Sequence, residues 1–189
     1  MTTKPAAGRP KEKERVLSRQ IILSTALQFV RTNGTDTLTF RALADLLNVT
    51  PMAVKYHAGS KKELLFDLLE HAFVGTLDDA EGLTPKTRVK EILEEYCSRA
   101  LVYPSLLHAV LEDVSLMKGE LVRVTDELRV NIQKLDNGET DDVLLHLLVD
   151  YTHGFVLSSA AGEEATLPIS NYLRGLDWIL CRLPDQNDR

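Results

Sequence analysis

From Arg15 to near the end of the chain, apolar residues recur every three or four positions, and almost nothing alternates as a half-buried strand would. That periodicity predicts an all-α fold. The stops between helices are legible. "NG" (Asn33-Gly34) closes the first helix. "GLTPKT" (82–87) offers Thr84 as an N-cap and Pro85 at the first helical position, where a missing N–H costs nothing. "DNGET" (136–140) ends one helix and starts another, and "ATLPIS" (165–170) separates the last two. The pattern predicts about nine helices, over 15–32, 40–47, a short one from Thr50 to about His57, and then roughly 61–77, 85–102, 104–114, 118–135, 140–161 and 168–182.

Composition narrows the class. With 189 residues, 44% hydrophobic, the chain can bury a core in one domain or two small ones. No run of about 18 apolar residues occurs, and the basic N-terminus lacks the apolar stretch of a secretory signal, so no membrane partner is expected. Two cysteines, Cys97 and Cys181, are too few for a disulfide framework and have no metal-binding spacing. A reducing, cytoplasmic setting is the simplest reading. The net charge of −6 averages two unlike parts. Residues 1–62 hold 11 Lys and Arg against 4 Asp and Glu, a net of +7, while residues 63–189 hold 11 against 24, a net of −13. This asymmetry points to a polyanion for the first part alone, against the plainer alternative of an uneven draw of surface charges.

The positive part contains "LADLLNVTPMAVKYHAGSKKELL" (43–65), where a helix of barely two turns sits between two others. Leu43, Leu46 and Leu47, with Ala44, give the preceding helix a narrow apolar side. Asn48 tolerates the left-handed conformation of a tight turn. Thr50 and Pro51 start the short helix, "AGS" (58–60) stops it, and "SKKE" from Ser60 is a capping box for the next. The unit reads as a helix-turn-helix. Val49 and Val54 would hold its second helix from within, leaving Met52, Ala53, Lys55 and Tyr56 outside for base edges in a major groove. Lys55, Tyr56, His57 and Lys61 are candidates for phosphates, and Arg41 for guanine O6 and N7. The arm, residues 1–14, with Lys4, Arg9, Lys11, Lys13 and then Arg15, would add sequence-independent attraction. Residues 15–62 would then form the DNA-binding domain, its helix-turn-helix at about 38–57, and 63–189 a second helical domain.

Over about residues 15–73 the sequence resembles the tetracycline-repressor (TetR) family of bacterial transcriptional regulators. The resemblance rests on the first helix ending in "NG", the "TFRALA" entry, the "NVTPMAV" turn and the pattern H-x2-S-K-x-E-L-L. It implies a three-helix DNA-binding domain, an all-α ligand-binding and dimerisation domain, and a homodimer on a palindromic, double-stranded operator. It also places Thr39 and Arg41 at the entry of the second helix and in contact with DNA. Thr50, Pro51, Met52 and Ala53 would face bases, and His57 and Lys61 would hold the backbone. Three positions depart from the family. Lys55 replaces a usual tyrosine, Ala58 a larger residue behind the recognition helix, and Asn48 the usual turn glycine.

The remainder offers two further expectations. "DYTHGFVLSSAAGEE" (150–164) is similar to the penultimate helix of the family's tetracycline-repressor branch, which pairs with the last helix across a dimer. Leu144, Leu147, Leu148, Tyr151 and Phe155 form one seam, and Ile169, Tyr172, Leu173, Leu176, Ile179 and Leu183 the other; Leu144, Leu148, Phe155, Tyr172, Leu176 and Ile179 are the candidate interface residues. The alternative is that both seams face their own core. A small-molecule effector would lie between the helices, with Tyr96, Tyr103, His108, Met117, His146, Asp150, Tyr151 and His153 as candidate walls. His146, Asp150 and His153 share a helix face, but a histidine in an apolar helix is more often core or pocket, so no metal and no cofactor is assigned. "LEDVSLMKGE" (111–120) lacks a histidine where tetracycline-binding members hold magnesium, which argues against that effector. No Gly-rich phosphate loop, nucleophile elbow or H-E-x-x-H motif supports an enzyme. The expected function is therefore a DNA-binding regulator, a homodimeric repressor released by its effector. The alternatives are a helix-turn-helix interaction module without DNA binding and a helical phosphate-binding enzyme.

Overall fold

The computed structural model describes residues 17–78, 80–135, 141–161 and 167–183. Among these are nine α-helices, one 3-10 turn and no strand, so the chain is all-α. The basic arm and Arg15 lie outside the described residues, as do the stop at 136–140 and residues 165–166 of the stop at 165–170.

The helices begin where a side chain can serve the first free N–H groups. α1 (Arg19–Asn33) starts four residues later than the periodicity predicts, because Ser18 caps it, its hydroxyl accepting from the Ile21 N–H at 3.3 Å. Thr39 caps α2 (Phe40–Leu47), and Thr50, followed by Pro51, caps α3 (Pro51–Ala58). α4 (Lys61–Phe73) opens on a complete capping box: Ser60 Oγ accepts from the Glu63 N–H at 3.1 Å, and the Glu63 carboxylate accepts from the Ser60 N–H at 2.6 Å. Each such cap stabilises its helix by about 1 kcal/mol. α5 (Pro85–Val102) starts at Thr84 as expected, and α6 (Pro104–Glu112) follows it directly. A 3-10 turn (Val114–Leu116), α7 (Glu120–Gln133), α8 (Val143–Ala161) and α9 (Ile169–Leu180) complete the order. α4 stops at Phe73 rather than 77, with the chain turning through Gly75, and α7 waits until Glu120.

α1, α2 and α3 pack around Ile22, Ala26, Val30, Leu38, Leu43, Ala44, Val54 and Ala58, all buried. Leu46 is a correction to the expected apolar side of α2, since it stands 59% exposed. An eight-residue helix buries one stripe, and Leu43 and Ala44 with half-buried Leu47 already fill it. α4 is shared. It packs on α1 and α3 on one side and on α5, α6 and α7 on the other, so a division at residue 62 falls inside a continuous helix.

α5 is the central helix of the remainder, against α7, α8 and α9. α9 is fixed by a buried phenol: the Tyr172 hydroxyl lies 2.8 Å from Thr152 Oγ1 of α8 and donates to the Leu93 carbonyl of α5 at 3.4 Å. Leu144, Leu148, Tyr172 and Leu176, expected at a subunit interface, are instead buried within the protomer, while Phe155 and Ile179 are half-buried against its core. α8 is apolar on nearly every side, so its periodicity could not show which stripe faces inward. The same apolarity gives α8 the length and mean hydropathy, 1.2, of a membrane span, although His146, Asp150, Thr152 and His153 interrupt its apolar run. Its buried side chains pack inside the bundle, against α5, α6, α7 and α9.

Candidate nucleic-acid interface and helical cavity

The turn between α2 and α3 is held by one residue. Asn48 takes φ 55 and ψ 47, the left-handed region that Asn enters more readily than other residues with a Cβ. Thr50 Oγ1 then accepts from the Ala53 N–H at 3.2 Å, and Val54 and Ala58 plug α3 into the core with no appreciable exposure. The small Ala58 lets α3 lie close to its supports. The outer side of α3 is left to solvent: Met52 is 73% and Tyr56 85% exposed, and Pro51 and Lys55 are exposed with them. Ala53 and His57 are half-buried. The His57 ring stands edge-on to Tyr56 at 5.2 Å, and its carbonyl accepts from Arg19 at 3.2 Å, tying the end of α3 to α1.

Flanking α3, Arg41 is exposed in the first turn of α2. Thr39 and Lys61 come together in one open surface groove of about 200 Å³, with Leu38, Phe40 and Leu64 as its floor. The α4 N-terminus beside it is partly occupied, because the capping box uses the N–H groups of Ser60 and Glu63. Hydrogen bonds from Ser60 lower the Glu63 pKa, so an anionic carboxylate already sits at this helix end. Attraction for a phosphate there rests on the Lys61 ammonium more than on bare backbone.

The eight candidate pocket residues do not converge as a set. Tyr96, Met117 and His153 line one cavity of about 40 Å³, with Val110, Leu121, Val124, Thr125, Leu128 and Val149. The Tyr96 hydroxyl lies 2.9 Å from His153 Nε2. Burial pushes the Tyr96 phenol pKa well up and lowers that of the His153 imidazole, against a weaker opposing pull from Asp150. The others lie elsewhere. Tyr103 sits half-buried at the α5–α6 corner, and His108 is exposed, 3.7 Å from Glu112. His146 and Asp150 face solvent, and Tyr151 stacks on Tyr172 at 5.3 Å. Among the described residues no three His, Cys, Asp or Glu converge as metal ligands, and His146, Asp150 and His153 do not. The cavity residues that sequence reasoning missed include Leu121, Val124 and Leu128, an i, i+3, i+7 stripe indistinguishable from ordinary core.

Beside the cavity, residues 113–120 form a strap that runs along α4. Lys62, next to Lys61, forms an ion pair with Asp113 at 2.9 Å and contacts Ser115. Asp113 also accepts from the Ser115 N–H at 3.0 Å. Hydrogen bonds from Ser115 and then Lys62 hold its carboxyl at about 2. Two turns along α4, Glu70 accepts from the Glu120 N–H at 2.8 Å. The neighbouring Gly119 has φ 54, a conformation that strains residues with a Cβ, and a Cβ there would lie 2.1 Å from the Glu70 carboxylate and displace it. The strap is thus fastened to α4 near both ends, with Met117 between them turned to the cavity.

No protein-family model matches the chain, and no curated relative does. Solved structures do. BioQ from Mycobacterium smegmatis is similar over 87% of this chain and 94% of its own, with 21% identity and a TM-score of 0.68. A possible TetR family transcriptional regulator from Streptomyces coelicolor covers 87% of each chain, with 21% identity and a TM-score of 0.64. PfmR, a TetR family transcriptional regulator from Thermus thermophilus, matches 91% of this chain and 100% of its own, with 16% identity and a TM-score of 0.61. At these identities the likeness establishes the fold, which is that of the TetR-family regulators.

Proposed function

We propose that the chain is a homodimeric transcriptional regulator that reads operator DNA with α3 and is released from it by a small molecule bound in the helical cavity. The observation that carries the DNA reading is the outer side of α3, exposed at Met52, Lys55 and Tyr56 while Val54 and Ala58 anchor the helix from behind. Two buried side chains suffice to seat so short a helix, and the side left to solvent has the size a major groove admits. Arg41, Thr39 and Lys61 flank it where phosphates or guanine edges would lie. Repression follows from steric occupation of the operator, and the fold's regulatory neighbours favour this over an enzyme. Under this reading residues 15–62 with the arm carry DNA binding, and residues 63–189 carry dimerisation and response. The reading places the protein in the cytoplasm, with its DNA.

Two further features support the finer parts. α8 exposes Leu147, Asp150, Gly154 and Ser158 along one stripe, and a Cβ added at Gly154 would meet open space, leaving room for a second helix to approach. Trp178 of α9 is 60% exposed, with the Arg182 guanidinium 3.7 Å from its ring centroid. These residues, of which Leu147 alone belongs to the expected seam, are the proposed subunit contact in place of the seam's buried members. For release, a ligand that binds one geometry better shifts the population towards it. The strap offers the connection, since displacing Met117 strains the Lys62 and Glu70 fastenings of α4.

Electrophoretic retardation of the DNA flanking the protein's own gene tests the reading. Retardation should weaken by about a thousandfold or more between roughly 50 and 200 mM salt if six or more phosphates are neutralised. Lys61→Glu should abolish it without changing the helical content. Retardation indifferent to both salt and Lys61→Glu would sink the assigned face, and its complete absence would favour the interaction module.

A further inference from the structure

We infer that the cavity between α5, α6, α7 and α8 takes an uncharged, mostly apolar small molecule bearing a single hydroxyl or carbonyl oxygen, bound through the Tyr96–His153 pair. The inference rests on the effector-responsive reading above and names the chemistry of its effector.

The wall sets the class. Val110, Leu121, Val124, Leu128, Val149 and Met117 supply apolar surface, and no Lys, Arg, Asp or Glu is among the lining residues. Thr125 lines it too; its hydroxyl donates to the Leu121 carbonyl at 2.8 Å and can only accept from a ligand. Tyr96 and His153, 2.9 Å apart, are the lining groups able both to donate and to accept. The pair works in both directions. When the phenol donates to Nε2, the phenol oxygen is left to accept; when Nε2–H donates, the phenol hydrogen is left to be given. A ligand hydroxyl or carbonyl can therefore be satisfied by one reorientation of the same two groups.

Charge is disfavoured from either sign. Burial keeps the phenol protonated and the imidazole neutral, so neither supplies a counter-ion. Asp150, one turn earlier on α8, is exposed and opposes this only through space. A carboxylate or an ammonium would lose its hydration with no partner on the wall. Size adds a second limit. About 40 Å³ holds a water or two, whereas a dry cavity that binds benzene measures about 150 Å³. The space must open, and Met117, unbranched and half-buried on the strap, is the wall element best able to move.

Titration calorimetry on the full chain with four probes of one shape tests this: 4-propylphenol, propylbenzene, 4-propylbenzoate and 4-propylbenzylamine, at neutral pH. The phenol should bind once per protomer and at least about tenfold tighter than the anion or the cation. Tyr96→Phe should remove most of the phenol's advantage over propylbenzene. Should that variant fail to fold, the ¹⁵N signals of the His153 imidazole in the wild-type chain decide. They should shift on adding the phenol while keeping the pattern of a neutral ring. Equal or tighter binding of the benzoate or the amine, no binding of any probe, or an unmoved His153 signal would overturn the inference. Operator retardation without any probe is run on the same preparation. Retardation with no probe binding removes this inference and leaves the DNA reading standing; probe binding with no retardation does the reverse.

Discussion

A side chain's backbone conformation, more than its chemistry, decides what position 48 can hold. Asn48 sits at φ 55, where a β-branched residue meets its own backbone. Asn48→Val should destabilise the fold by about 1–2 kcal/mol and lower the melting temperature by several degrees. Asn48→Gly should leave stability within a few tenths of a kcal/mol, since glycine enters this region freely. Thermal unfolding followed by circular dichroism checks both. Equal effects of the two substitutions would show that the turn is held by something other than this conformation. The residue was legible in the sequence because its constraint is local. Tyr96 and His153 were legible only as members of a longer set, because their pairing depends on how α5 and α8 meet.

Among the elements, α9 is the one whose seating is easiest to disturb. Gly175 faces Tyr151, and a Cβ there would lie 2.0 Å from the Tyr151 hydroxyl. That hydroxyl donates to the Tyr172 carbonyl at 3.1 Å, and the two rings stack nearly parallel, at 13°. Gly175→Ala should therefore push the two helices apart and cost about 1–3 kcal/mol, the usual penalty of overpacking. Combining it with Tyr151→Leu, which vacates the space, should recover part of that loss, and the departure from additivity measures the contact. Simple addition of the two losses in denaturant titrations would mean that the ring and the glycine act independently. Helix starts were readable from Thr50, Ser60 and Thr84, whose hydroxyls serve N–H groups only three residues away. Helix ends were less so: α4 was expected to reach 77, but the turn at Gly75 intervenes.

For the molecule as a whole, adjacent residues of α8 should have opposite fates. Leu147 is 53% exposed and Leu148 only 1%. If the proposed subunit contact is right, Leu147→Glu should yield a folded monomer, with unchanged helical content and a lower sedimentation coefficient. Leu148→Glu should instead unfold the chain, because it buries a carboxylate among apolar groups. Sedimentation of the wild-type chain as a monomer at high concentration would remove the dimer from the proposal, and with it the reading of paired operator half-sites.

The order of residues alone determined the class of fold, most helix starts, the tight turn before α3 and the concentration of positive charge in its neighbourhood. All of these follow from interactions that reach no further than four or five residues along the chain. Which stripe of α8 turns inward, which of eight candidate wall residues share a cavity, and how the strap fastens to α4 were settled only by packing. A helix apolar all round offers several nearly equivalent faces, and the choice among them is made by the shapes of the neighbours it meets.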